Sequence, residues 1–407
     1  METKQNTVLI VGGGFAGISL ARKLSKGLPQ DAKVVLISNK SYFEYYPALY
    51  RVVTGASPIE VCIPLDYMLD KNIEIVLDTA INVDLDRKEI RTVKGDIYTA
   101  EKIVLALGSE TTYYSLPGVA TLSLGFKSVK EALTLKNHLY SLFDGHFHPS
   151  QNELVSHFHV VIIGGGPTGV EVAGDLSVYL RKLAKEFHVD SSLVTIDLIQ
   201  AAPRLVPQLP EVVSRRIERQ LRLLGVNIFL NRQLVSGGVE QIYLKDMTMK
   251  ADTVIWTAGT QINKLFSQIN GLQFSDKKRV IVDEYLSVPG YSDFYIVGDA
   301  AETKYTGLAQ TANYDGVFVA KNIIRLLTGK TQKKYAPKKN AFAIPVGDNW
   351  GVFVWNDLHI FGPLAYLIRH AIDFIYFSEI LHFTKFFSLF FEGFKYRMLK
   401  AHKAKLD

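Results

Sequence analysis

The sequence predicts an α/β fold: two Rossmann-like units wound on parallel sheets, followed by an amphipathic helical module. Three observations carry this expectation. Glycine clusters stand at Gly12-Gly13-Gly14-Phe15-Ala16-Gly17 and at Gly164-Gly165-Gly166-Pro167-Thr168-Gly169. Each follows an apolar run, Val8-Leu9-Ile10-Val11 or Val160-Val161-Ile162-Ile163, and each leads into a helix-like stretch, the strand–turn–helix grammar of a dinucleotide-binding unit. The third observation is a phenylalanine-rich C-terminal stretch whose polar residues recur every three or four positions.

Taken in order, residues 7–11 and 33–38 read as strands around a helix from about Gly14 to Lys26. Lys102–Gly108, Asp252–Gly259 and Phe294–Asp299 are short apolar runs ending in small residues. Such runs are buried parallel strands whose C-terminal ends open onto a ligand crevice. The second unit starts at Phe158. It continues with a helix from about Thr168 to Glu186, a strand over 193–199 and a helix from Glu211 to Leu224 capped by Gly225. The expected domains are 1–119 with 290–340, an inserted 120–289, and a C-terminal module over 341–407. The lysine-rich stretch holding Lys330, Lys333, Lys334, Lys338 and Lys339 reads as a solvated loop.

Composition narrows the chemistry. The net charge is +6 and its clearest concentration is the C-terminal tail, which suits a lipid or phosphate-rich partner rather than nucleic acid. Cys62 is the single cysteine of the 407 residues, so a CxxC redox pair and a cysteine-ligated cluster are both excluded within them. Cys62 reads as an inert packing residue. No metal-ligand spacing appears. The apolar start is too short for a signal peptide and no apolar run reaches transmembrane length, so a cytosolic location is expected.

A strand that turns sharply into a helix aims free N–H groups and the positive end of the helix dipole at one spot, where a pyrophosphate fits. Gly12 permits the turn, Gly14 lets the backbone approach phosphate, and Gly17 lets the helix pack on its strand. Gly164, Gly166 and Gly169 repeat these parts. The acidic residue that usually closes the second strand is missing from both units. The first ends Ser38-Asn39-Lys40, whose polar groups suit an adenosine ribose; the second ends at Gln200, with Arg204 nearby. A neutral Gln200 does not repel a 2′-phosphate, so weak discrimination between NADH and NADPH is expected. Asp299, in Ile296-Val297-Gly298-Asp299-Ala300-Ala301, follows a strand and can accept from the ribityl chain of a flavin.

The motif order is GGGFAG, ALGSE (106–110), GGGPTGVEVAGDL (164–176), TAGT (257–260), IVGDAA (296–301) and AQTANYDG (309–316). With Tyr46-Pro47-Ala48-Leu49-Tyr50 and Thr54-Gly55, it resembles the type II NADH dehydrogenases over nearly the whole chain. Those are single-subunit flavoproteins that reduce membrane quinone without pumping protons. Apoptosis-inducing-factor-like reductases share much of the pattern. A soluble FAD reductase with a protein or dioxygen acceptor, and a redox-sensing flavoprotein, therefore stay open.

The resemblance implies a glutathione-reductase-like two-dinucleotide fold. It implies FAD against Gly12, Gly13, Gly14, Phe15, Ala16, Gly17, Asn39, Lys40, Ala80, Gly108, Asp299, Ala309 and Gln310. NADH or NADPH is implied against Gly164, Gly166, Thr168, Gly169, Glu171, Gln200 and Gly259. Glu171 matches a family glutamate near flavin and nicotinamide. Gln310 keeps one glutamine of the family's AQxAxQxG stretch beside the quinone, and Tyr314 replaces the other. Arg369 and His370 stand where the family often carries lysines, which gives His370 a role in protonating quinone.

In the C-terminal module Phe374, Phe377, Phe383, Phe386, Phe387, Phe390, Phe391 and Phe394 share a stretch with His382, Lys385, Ser388, Glu392 and Lys395 on one narrow helical face. A basic end follows, with Arg397, Lys400, Lys403 and Lys405. This suits a helix lying on a lipid bilayer surface, peripheral to the cytoplasmic face of the cell membrane. A surface rich in phenylalanine also suits a homodimer.

Overall fold

The computed structural model describes residues 7–29, 31–146 and 157–381, together with Lys385. The chain begins with β1 (Thr7–Val11), α1 (Phe15–Ser25) and β2 (Lys33–Ser38), then α2 (Leu49–Val53), β3 (Ile73–Leu77) and β4 (Lys102–Leu105). A second unit follows: β5 (Ser123–Gly125), α3 (Val129–His146), β6 (Phe158–Ile163), α4 (Pro167–Glu186), β7 (Val194–Gln200), α5 (Glu211–Leu223), β8 (Val226–Leu230) and β9 (Thr253–Trp256). The chain then returns through β10 (Ser287–Val288) and β11 (Tyr291–Ile296) to α6 (Ala309–Leu327). It continues with β12 (Phe342–Pro345), β13 (Gly351–Trp355), β14 (Leu358–Gly362) and α7 (Pro363–Ile380).

The first sheet has the order β10-β11-β4-β1-β2-β3, parallel except for the β10–β11 pair. The second is parallel throughout, in the order β5-β9-β6-β7-β8. In both, the strand that carries a glycine cluster lies inside the sheet, and β1 and β6 are buried almost end to end. Strands covered on both faces must be apolar at nearly every position, which is why Val8–Val11 and Val160–Ile163 show no alternation. A short antiparallel ribbon, Ser109–Thr111 with Thr260–Ile262, joins the two units.

The C-terminal module differs from the sequence expectation. The C-terminal module opens with the antiparallel sheet β12-β13-β14 rather than a helix. Ile344, Val352 and Val354 are buried in it while Trp355 and Leu358 are exposed, a short strand pattern that the aromatic run downstream overshadows. α7 then ends at Ile380, where Leu381 turns extended. Arg22 of α1 caps that end, donating to the carbonyls of Glu379 at 2.7 Å and of Ile380, a cation at the negative end of the helix dipole. Phe383, Phe386, Phe387, Phe390, Phe391 and Phe394, with the basic end, lie outside the described residues.

The lysine-rich stretch is a loop whose lysines are exposed, as expected. Its backbone is a strap held along α6 by side chains from successive turns. Asn322 exchanges two hydrogen bonds with Lys333 (2.8 and 2.9 Å), Tyr314 donates to the Ala336 carbonyl at 3.0 Å, and the Asn340 amide donates to Thr311 Oγ1 at 2.7 Å. Polar residues on a helix otherwise packed on α1 find their partners in this strap. The close α1–α6 packing needs Gly316, where a Cβ would stand 2.2 Å from the Ala16 carbonyl oxygen.

Candidate functional site

The two glycine turns are built alike. Gly12 and Gly164 have φ of +118° and +111°, and each donates its N–H to the next strand, at Ile37 or Ile199, over 2.8 Å. A Cβ on Gly17 would lie 1.9 Å from the Gly12 oxygen; on Gly169, 1.8 Å from that of Gly164. These four glycines are therefore demanded by the turn and by helix packing. Gly14 and Gly166 are not. Each has an ordinary backbone (φ −88° and −74°) at the N-cap of α1 or α4, and a Cβ there would meet no atom within 4 Å. Neither strain nor packing asks for glycine at these positions, and the open space in front of them leaves room for a ligand to approach closely. The helix N-termini behind them favour a phosphate.

A cavity of about 710 Å³ opens from the first turn, a volume in the range of cofactor sites. Gly12, Gly13, Gly14, Phe15 and Ala16 line it, with Asn39, Lys40, Ala80, Gly108, Asp299 and Ala309. Thr168 and Glu171 of the second unit line it too. Residues expected at two different dinucleotides thus meet on one wall. Asp299 accepts from Ser109 Oγ and lies 3.7 Å from Lys127 Nζ. Lys40 pairs with the buried Glu44 at 2.6 Å. The chemistry of this wall suits an FAD: N–H donors at a helix start, a carboxylate among hydroxyl and ammonium groups, and apolar strand ends between them.

The second cradle is completed by Gln200, which closes β7 and whose Oε1 accepts from Gly165 N–H at 3.3 Å. Gly259 lies under Tyr114, whose hydroxyl would stand 2.4 Å from a Cβ there. Arg204 differs from expectation. Its guanidinium is committed to its own loop, donating to the Leu209 carbonyl at 2.6 Å, to Ser214 Oγ at 2.8 Å and to the Pro207 carbonyl.

Glu171 stands where the units join. Burial pushes its carboxyl up to about 8; Arg369 and Arg51 oppose that shift, and Asp175 adds to it. The cations belong to a buried cluster. Arg369 and Asp373 are 4% and 5% exposed on a largely apolar helix. Arg369 donates to Asp373 Oδ1 and, at 2.7 Å, to the Pro47 carbonyl. Arg51 donates to Asp373 Oδ2, and Tyr45 OH to Asp373 Oδ1, each at 2.6 Å. Burial works against a charge on Asp373, but Arg369 and Arg51 hold its carboxyl below the usual range.

Three residues expected to act on quinone lie off the cavity wall. Gln310 donates to the Ala341 carbonyl at 3.3 Å, and Tyr314 reaches the Ala336 carbonyl with Lys338 4.6 Å from its ring centre. On α6 they face the strap, because the face that meets the cavity is taken by Ala309 and Ala312. His370 sits beside the buried cluster, its Nδ1 3.4 Å from Arg51 Nη2 and its ring against Tyr366. Arg51 and Asp373 of the cluster, and Lys127 and Glu131 of the cavity wall, carry no motif. Of these only Asp373 left a trace, an i,i+4 partner for Arg369 on an apolar helix. Cys62 is half-buried and burial, with Glu44, pushes its thiol up to about 11, as an inert cysteine requires.

Gly14→Ala should separate fold from ligand. The methyl enters open space, so the stability of the ligand-free protein should stay within about 0.5 kcal/mol. FAD affinity, read by fluorescence titration, should fall about tenfold or more because the pyrophosphate loses its closest approach. Unchanged affinity would rule out a dinucleotide at this turn.

Among known proteins, the type II NADH:quinone oxidoreductase of Staphylococcus aureus (strain MSSA476) is 26% identical to this chain over 387 residues, 92% of this chain and 95% of that protein. That of Staphylococcus epidermidis is 25% identical over the same shares. Among solved structures, NDH2 from Plasmodium falciparum in complex with NADH is similar with a TM-score of 0.85 at 16% identity, covering 97% of this chain and 98% of that one. The sulfide:quinone oxidoreductase of Aquifex aeolicus is similar with a TM-score of 0.77 at 20% identity, covering 91% and 90%. The two structures share the fold. The family described as pyridine nucleotide-disulphide oxidoreductase matches residues 6–316, the span that holds both glycine turns and Asp299, and the chain belongs to that family.

Proposed function

We propose that this protein is an FAD-dependent NADH:quinone oxidoreductase of the type II class, without proton pumping. One observation carries the reading: the cavity that opens from the first glycine turn is walled also by Thr168 and Glu171, from the first turns of the helix that the second glycine turn starts. The staphylococcal relatives bear this activity in their names. The likeness to a sulfide:quinone oxidoreductase is one of fold, and a single cysteine cannot supply a redox pair.

FAD bound along β1 and Asp299 supplies the two-electron chemistry. The residues of this chain supply position and protons. Gly12 to Ala16, Asn39, Lys40, Ala80, Gly108, Asp299 and Ala309 hold the flavin nucleotide. Gly164, Gly166, Thr168, Gly169, Gln200 and Gly259 hold NADH, with NADPH admitted by the neutral Gln200. Docking both on a fixed pair of helix N-termini replaces a bimolecular encounter by a set approach. Glu171, protonated at neutral pH, is the proton donor beside the reacting groups. Quinone approaches past Phe15 and Tyr46, which line the cavity, and the rings of Tyr45 and Tyr376 behind them. His370 touches that approach only through Arg51, while Gln310 and Tyr314 face the strap.

The membrane side is α7. Leu364, Leu367, Phe374 and Ile375 are 54–62% exposed along one stripe, while Ala365, Arg369, Asp373 and Ile380 face inward. Phe377 packs against Tyr45 at 4.7 Å and is not part of the stripe. Among the described residues no helix is long and apolar enough to cross a membrane. A lipid surface on the cytoplasmic side is the occupant this stripe fits, and a second copy of the chain is the competing one.

The central test is a visible spectrum of the purified protein, titrated anaerobically with NADH and then with a short-chain quinone. Bleaching of the flavin band and its full recovery with quinone are expected; a colourless protein that takes up no FAD ends the reading. For Glu171, the protonated form is the donor, so quinone turnover should fall as pH rises through about 8. Glu171→Gln should remove that limb and slow turnover on the order of 10²-fold; a native profile flat through this range would exclude the role. For α7, complete burial of one such side chain is worth roughly 1.5–3 kcal/mol, so Leu367→Glu with Phe374→Glu should weaken binding to anionic vesicles about tenfold or more. Unchanged vesicle binding would move the membrane contact elsewhere, and a dimer that these substitutions dissociate would assign the stripe to a second copy.

A further inference from the structure

We propose that Asp175 relays a proton from solvent to Glu171, so that the polar edge of α4 is the proton inlet of the enzyme; the inference rests on the quinone-reductase reading above. The stoichiometry requires an inlet. NADH hands over a hydride, which is two electrons and one proton, whereas a quinol is made with two electrons and two protons. The balance, NADH + H⁺ + quinone → NAD⁺ + quinol, takes one proton from water in every turnover.

α4 leads from the cavity to the surface. Its first turns place Thr168 and Glu171 on the cavity wall. Asp175 follows at i+4 and Lys182 at i+11, on the same side of the helix. Lys182 pairs with Asp348 at 3.4 Å, and both are open to solvent, at 67% and 61% exposure. Val172, Ala173, Leu176 and Leu180 on the same helix are buried. Thr168, Glu171 and Asp175 thus lead along α4 from the reaction cavity towards the surface pair of Lys182 and Asp348, flanked by apolar packing.

The outer end is held by a turn. The backbone of Val346 and Gly347 presses on α4 at Gly174, where a Cβ would lie 2.6 Å from Gly347 N. That contact brings the Gly347 N–H onto Asp175 and places Asp348 near it. From α2, Arg51 and Tyr50 face Asp175; from its own helix, Glu171 and Lys182 do. On the inner side Glu171 faces Arg369 and Asp373 of α7 as well as Arg51. Side chains one turn apart are roughly 5–6 Å from Cβ to Cβ, a span that one bridging water covers.

The step moves no electrons. An O–H bond of Asp175 breaks, an O–H bond forms on the carboxylate that Glu171 becomes after giving up its proton, and Asp175 is reprotonated by water at the 347–348 turn. Burial supports the exchange. It pushes Asp175 up to about 7, against Arg51 and with Asp348, and Glu171 up to about 8. Both carboxyls therefore exchange protons near neutral pH.

The two half-reactions separate this role from a structural one, because flavin reduction by NADH needs no proton from this route. In anaerobic stopped flow on the FAD-loaded protein, Asp175→Asn should leave reduction by NADH within about twofold of native. Reoxidation by a short-chain quinone should slow about tenfold or more, and Asp175→Glu should restore it. Reoxidation at the native rate in Asp175→Asn overturns the proposal. So does an equal slowing of both phases, which marks a packing role. Should Asp175→Asn fail to keep its flavin, the pH profile of reoxidation in Asp175→Glu decides: a displaced limb supports the relay and an unmoved limb overturns it. A native protein reduced by NADH but not reoxidised by quinone refutes the underlying reading instead, and the inlet with it.

Discussion

Asp373 is the buried charge on which three parts of the chain converge. A carboxylate taken out of water is costly unless it is paired and fully hydrogen-bonded. Here it accepts from Arg369 on its own helix, from Arg51 on α2 and from Tyr45 in the segment that walls the cavity. Arg369 in turn reaches the Pro47 carbonyl. Removing one of the charged partners leaves another charge buried and poorly paired, so the cluster specifies a single seating of α7. That seating decides which stripe of α7 faces outward, and it sets two guanidinium groups against one carboxylate beside Glu171.

The consequence reaches the cavity through electrostatics. Glu171 lies at the join of the two units, where burial raises its carboxyl and the nearby guanidinium groups restrain the rise. A carboxyl balanced near neutrality can give and regain a proton, whereas an exposed glutamate stays ionised at the same pH. Asp315 of α6 shows a related balance. Burial pushes it up to about 7 against hydrogen bonds from Tyr335 OH (2.6 Å) and Gly298 N–H (3.2 Å). It ties the strap to the turn that carries Asp299, so α6 is fastened by polar contacts that only the folded chain brings together.

Much of this was legible in the residues themselves. The glycine spacing of each turn, the unbroken apolar strands and the cap at Gly225 are local properties, set by sterics over a few residues. α1, α4, β1, β2 and α5 accordingly lie within a residue or two of the places their patterns indicate. Asp299 was read from the strand it follows and Glu171 from the family resemblance, and both line the cavity. Arg204 was not legible, since a nearby cation in sequence says nothing of which carbonyls its guanidinium will meet. Gln310 and Tyr314 sit in a motif, yet their hydrogen-bond partners lie on the strap and its end, 31 and 22 residues further on.

The sequence by itself determined two strand–turn–helix cradles, the polar ends of the strands beside them and the lack of a redox cysteine pair, because each follows from short-range geometry or from composition. Folding brought Thr168 and Glu171 of the second unit onto the cavity of the first, joined Arg51 and Arg369 at Asp373, and set Asp175 between Glu171 and the surface turn at Asp348. Those relations join residues up to 322 positions apart. Their energies depend on burial and distance, and neither quantity exists before the chain is folded.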